Sequence, residues 1–205
     1  MTLTIIMFLP LVGAALLALV PSAQERLVKQ VALATTIVVA VATLIKALNF
    51  NVENTELQFR QSYSWIPSFG INWALGVDGI ALVLILMSVI LAPLVILGGW
   101  NESEGGRFGV KTFYILILVL ETMVIGVFAA TDLFLFYVFF EAMLVPIYFL
   151  IGGYGSGERA AAAVKFLLYS LFGGLLMLAS IIGLFVISGQ NGEVTFDITK
   201  LSELH

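Results

Sequence analysis

Six runs of apolar residues, each closed by a short polar stretch, divide this chain. They cover about Leu3 to Val20, Leu27 to Leu48, Val77 to Gly99, Thr112 to Ala130, Leu133 to Ile151 and Ala160 to Ser188. Runs of this length and composition predict helices that cross a bilayer, because lipid offers no partner for backbone groups that a helix does not pair internally. The first run could imitate a secretion signal. It has no basic region before it, however, and five more runs follow, so it reads as a retained helix.

The polar punctuation predicts how these helices connect. PSAQER turns the chain between the first two. Residues 49–61 leave the membrane, and YSWIPSFGINWALG at 63–76 suits a loop or partial strand at the membrane surface, with Trp65 and Trp73 as interfacial anchors. Asp78 is placed to cap the third helix, which contains Pro93 and ends at Trp100. Between the fourth and fifth runs stand only Thr131 and Asp132, which requires an antiparallel hairpin. Asp132 reads as a helix cap at its surface-facing turn. GGYGSGERA leads to the sixth run, whose opening alanines permit close helix approach. A short interfacial helix is expected after Asp197. The organisation is thus 1–100, with three helices and a surface loop at 49–76; 101–188, with three more helices; and a polar segment at 189–205.

Charge inside the apolar runs is rare, so its positions carry weight. Glu121 stands near the middle of the fourth run and Glu141 near the middle of the fifth, and a carboxylate at that depth faces other helices or a wet cavity. Pro146, five residues beyond Glu141, disturbs the backbone bonding of the intervening turn. A carboxylate beside a disturbed helix suggests a proton site; a structural hydrogen bond between helices is the competing account. Tyr137 and Tyr148 share a face with Glu141, and packing is the favoured reading for both. Lys46 reads as a side chain that reaches back to the interface. Lys165 lies just over a turn inside the sixth helix. At about 1.5 Å per residue, Glu141 lies roughly 15 Å and Lys165 roughly 8 Å from their shared surface. A direct or water-bridged pair and a lysine that reaches back to the interface are equally compatible with that offset.

Composition sharpens the class. Of 205 residues, 61% are hydrophobic and 11% charged, with a mean hydropathy of +1.11, far from a soluble domain. The fold class is all-α integral membrane, with six transmembrane helices and no nucleic-acid surface. With no cysteine and one histidine, His205, thiolate clusters, disulfides and His-rich haem or zinc sites are excluded within these residues. Any redox chemistry belongs to a partner. Arg26, Lys29, Arg107, Lys111 and Arg159 fall in the loops after helices one, three and five, which puts those loops in the cytoplasm and the N-terminus on the other side.

Four segments in order, WIPSFGINWALGVDGIAL, ATDLFLFYVFFEAMLVPIYFLIGGYG, AAVKFLLYSLFGGLLML and TFDITKL, resemble the M-type antiporter-like membrane subunits of respiratory complex I, the proton-pumping NADH-quinone oxidoreductase. The resemblance implies a membrane-arm subunit in a bacterial plasma membrane, partnered by other membrane-arm subunits and the lipid bilayer. No cofactor is expected in this chain; flavin, iron–sulfur clusters and quinone are expected in partner subunits. Glu141 matches the family's key glutamate on its fifth helix, and Lys165 the lysine of its sixth-helix motif, with Glu121 a further candidate. Family members have about fourteen helices with two inverted five-helix repeats. These residues match the N-terminal part and the first three helices of the first repeat, without the seventh-helix lysine that partners the glutamate, the central lysine or the second repeat. Either a longer polypeptide or a second chain would supply the rest. A related Mrp-type cation/proton antiporter subunit and a non-conducting membrane scaffold are the alternatives.

Overall fold

The computed structural model of the chain describes residues 2–54, 56–101, 103–190 and 194–202; His205 lies outside them. Helices stand at all six apolar runs: α1 (Leu3–Leu19), α2 (Glu25–Ala47), α3 (Gly79–Gly98), α4 (Gly109–Ala129), α5 (Leu133–Tyr154) and α6 (Arg159–Gln190). A short α7 (Ile198–Ser202) follows Asp197 as expected. Among the described residues, five helices are long and apolar enough to cross a membrane. The remaining apolar helix, α1, has 17 residues, about 25 Å of rise.

α4 is the centre of the bundle and packs against α1, α2, α3 and α5. Lipid gives helices no hydrophobic reason to associate, so close packing has to come from shape, and small residues supply it. At Gly126 of α4 a side chain would lie 2.7 Å from the Phe139 ring of α5, so the glycine is the socket for that ring. Gly13 of α1 does the same for Thr35 of α2. α6 packs on α5, and its buried residues are Ala163, Gly174, Ile181 and Ser188, the last of which bonds Thr195 of the C-terminal segment.

The segment after α2 is more ordered than a surface loop. It forms an antiparallel hairpin, β1 (Gln58–Ile66) and β2 (Ile71–Val77), with Tyr63 opposite Trp73. The hairpin reverses through a 3-10 turn at Pro67–Phe69 and then Gly70, whose φ of +68° is left-handed. The bundle is all helical as expected, and the hairpin is the strand alternative offered for residues 63–76. Trp65 is exposed, whereas Trp73 is half-buried. It stacks on Phe8 of α1 at 5.8 Å and meets Phe139 of α5 edge-on at 5.7 Å. Two elements distant in sequence, α1 and α5, thus half-bury it.

The α4–α5 turn departs from expectation. Asp132 caps α5, accepting from the amides of Phe134 at 2.9 Å and Leu135 at 3.1 Å. Its second oxygen accepts from the Asn72 amide of β2 at 3.0 Å. Only 1% of the residue is exposed, so the turn is not surface-facing. β2 covers it from one side, through Thr131 N–H to the Ala74 carbonyl, and the C-terminal segment covers it from the other, through Leu133 N–H to Phe196 and Ile198 N–H to Thr131. Burial pushes the Asp132 carboxyl above its ordinary range, Asp197 adds to that, and the three amides oppose it.

The basic residues of the loops after helices one, three and five gather at one end of the bundle. Lys29, buried on α2, pairs with Glu104 at 2.7 Å. Lys111 donates to the carbonyls of Ala18 and Val20 at the end of α1, where a helix leaves acceptors free. Lys46, at the opposite end, lies over the Phe59 ring, 3.8 Å from its centroid.

Candidate functional site

The two intramembrane carboxylates sit at one depth. Glu121 lies eight residues before Ala129, the end of α4, and Glu141 eight residues after Leu133, the start of α5. Each is therefore about 12 Å along its helix from their common turn. They face different neighbours. Glu121, 5% exposed, lines a cleft of about 330 Å³ among α3, α4 and α5, beside Ser88, Ala92 and Leu150. Glu141 leans from α5 onto α6, where its Oε1 occupies the space a side chain at Gly174 would need. No hydrogen bond joins the two among the described residues.

Both carboxyl groups lack partners there. The two oxygens of Glu121 and Oε1 of Glu141 are buried with no hydrogen bond among the described residues. A polar oxygen taken out of water without a bond costs about 1–3 kcal/mol. α5 runs unbroken through Pro146, which has no N–H for the Ala142 carbonyl one turn back, so an acceptor without an amide donor lies next to Glu141 in sequence.

Lys165 is not brought to Glu141. It is exposed on α6, and no ion pair holds it among the described residues. Glu141 is level with Gly174, nine residues further along α6 than Lys165, which is about 13 Å. That exceeds the reach of a lysine side chain, so the direct pair is absent here. Of the aromatic neighbours, Tyr137 lies against Phe134 at 6.4 Å and Tyr148 against Phe149 at 5.3 Å between ring centroids. The residue that sequence reasoning passed over is Gly174. Its only signal was a glycine pair, Gly173-Gly174, in mid-helix, which also fits simple helix packing.

The burial of Glu121 makes a stability prediction. Methionine at this position keeps the volume and removes two unpartnered oxygens. Glu121→Met should raise this chain's stability by about 1–3 kcal/mol. In the purified native complex, the temperature at which a protease begins to cut the α3–α4 loop should rise. A fall would mean that Glu121 has a bonding partner in the assembly.

Sequence and structure comparisons bear on these residues together. The family model described as NADH:quinone oxidoreductase/Mrp antiporter, TM, matches residues 130–205. NADH-quinone oxidoreductase subunit M of Mycobacterium tuberculosis is 41% identical over 97% of this chain and 41% of its own length. F(420)H(2) dehydrogenase subunit M of Methanosarcina mazei is 42% identical over 78% of this chain and 32% of its own length. The chain thus spans about two fifths of the length of the first of these relatives and a third of the second. Among solved structures, a chain of respiratory complex I from Thermus thermophilus with bound NADH superposes with a TM-score of 0.81 at 30% identity, over 98% of this chain and 38% of that one. The Mrp complex of Dietzia sp. gives 0.74 at 19% identity, over 97% of this chain and 20% of that one, a likeness of fold. The level Glu121–Glu141 hairpin falls inside the stretch that these relatives share, and over nearly its whole length the chain is similar to antiporter-like membrane subunits such as subunit M of NADH-quinone oxidoreductase.

Proposed function

We propose that the chain forms part of a proton-translocating membrane-arm subunit of an NADH-quinone oxidoreductase, with Glu141 as the group that takes up and releases the proton. The observation that carries this is the mid-membrane carboxyl of Glu141, held against α6 with Oε1 buried and unpartnered. A structural carboxyl would be bonded; one that must exchange a proton is better left without a permanent partner. The redox reaction, with its flavin, iron–sulfur clusters and quinone, belongs to other subunits.

In this reading a conformational signal moves charge near Glu141. A carboxyl drained of water takes up a proton, and one that gains a neighbouring ammonium gives it back. Lys165, about 13 Å away along α6, would act only across a chain of waters. Glu121, level with Glu141 but in a separate cleft, would be a second station. Helices from the rest of such a subunit, in this polypeptide or another, would bring a closer cation to the α6 side. The basic residues Arg26, Lys29, Arg107, Lys111 and Arg159 would face the cytoplasm of a bacterial plasma membrane, with the N-terminus on the other side.

The family model also spans Mrp antiporters, so the test separates the two. The native membrane complex is purified through a tag on this chain and assayed for NADH-driven quinone reduction. Co-purifying activity that is lost when the tag is removed supports the oxidoreductase. Cation/proton exchange in proteoliposomes without NADH activity would assign the chain to an antiporter instead.

A further inference from the structure

Resting on the reading of Glu141 as the proton-exchanging group, we infer that Gly174 is its positioning residue: the missing side chain leaves a notch in α6 that seats the carboxyl.

The two glycines of the pair behave differently. A Cβ on Gly173 would meet nothing within 4 Å. A Cβ on Gly174 would collide with Glu141 Oε1, and would lie 2.8 Å from the carboxyl carbon and 3.4 Å from Oε2. Gly174 is buried and Gly173 exposed. The occupant of the notch is therefore the carboxyl itself and not the α5 backbone. Close helix approach is served elsewhere on the same interface: at Gly152 the added Cβ would lie 3.3 Å from the Ala163 methyl. Any residue but glycine at 174 displaces the acid from α6. The nearest alternatives for a displaced side chain are rotamers about its own helix, at a different position relative to any cation or water that reaches it. Proton transfer depends on donor–acceptor distance, so that displacement is felt as lost coupling and not only as lost packing.

The experiment uses the purified native complex in proteoliposomes, with protons moved per NADH oxidised as one readout. The second is the infrared carbonyl band that disappears in Glu141→Gln. Gly174→Ala should lower the coupling ratio at least about fivefold and shift that band, while Gly173→Ala changes the ratio less than twofold and leaves the band in place. Aspartate is shorter by one methylene, about 1.5 Å of bond length. Adding Glu141→Asp to Gly174→Ala should therefore recover at least half of the loss. Wild-type coupling with an unmoved band in Gly174→Ala overturns the inference, as does a double variant no better than the single one. Where Gly174→Ala alone does not assemble, assembly of the double variant supports the notch and its failure overturns it. Normal pumping by Glu141→Gln would sink the proton role of Glu141 instead, and the band shift in Gly174→Ala would still decide the notch.

Discussion

Replacing Glu141 by glutamine should lower the number of protons moved per NADH oxidised at least about tenfold, with quinone reduction by the uncoupled complex changed less than about twofold. Glutamine matches glutamate in size and can still fit the Gly174 notch and accept a hydrogen bond, so assembly and packing at the α5–α6 face should survive. What it cannot do is bind and release a proton at neutral pH. Loss of a positioned acid–base group generally costs about 10²–10⁴ in rate, so a tenfold fall is a conservative floor that leaves room for parallel paths in other subunits. The measurement is dye-reported proton uptake beside NADH oxidation in the same proteoliposomes. Unchanged coupling with normal assembly would leave Glu141 as a scaffold group and remove the support for proton transfer through this chain.

The parts of that site were unevenly legible. Glu141 and Glu121 stood out because a charge in an apolar run violates the pattern that defines the helix. The capping role of Asp132 was legible because an aspartate before an apolar run has few other uses. Its burial was not, since the cover comes from residues 72–74 and 196–198, far away in both directions along the chain. The neighbours of Trp73 were hidden for a related reason. Aromatics among glycine and proline suit an interface, and nothing in that stretch reveals that Phe8 and Phe139 close over the ring. The separation of Glu141 from Lys165 turned on where the helices end. With α5 taken to stop near residue 151 the offset was close to a lysine's reach; α5 instead runs to Tyr154, and Gly174, not Lys165, is level with the acid. A hydropathy boundary is uncertain by about a turn, and a turn is about 5 Å.

The turn that sets both carboxylates at one depth should be the most sensitive structural point in the chain. Asp132→Ala removes the cap of α5, worth about 0.5–2 kcal/mol, and strands the Asn72 amide of β2, worth about 1–3 kcal/mol more. A total loss of about 1.5–5 kcal/mol is expected, and hydrogen exchange in the intact complex reads it locally. The amides of Asn72, Phe134 and Leu135 should exchange at least about tenfold faster, while those in mid-α2 stay unchanged. Asp132→Asn keeps one acceptor oxygen for the cap and should lose much less. The pH dependence has a definite sign. Burial raises the folded carboxyl above its ordinary value, against the pull of the three amides, so the folded state binds this proton more tightly than the unfolded chain does. Stability from Asp132 is therefore greatest below the ordinary aspartate range and declines as pH rises through the raised folded value. Acidification from neutral pH toward about 4 should increase protection at Phe134 and Leu135, after correction for intrinsic exchange, and the increase should vanish in Asp132→Asn. A loss of protection on acidification would mean that the ionised form is the one the junction holds, and that the amides outweigh the burial.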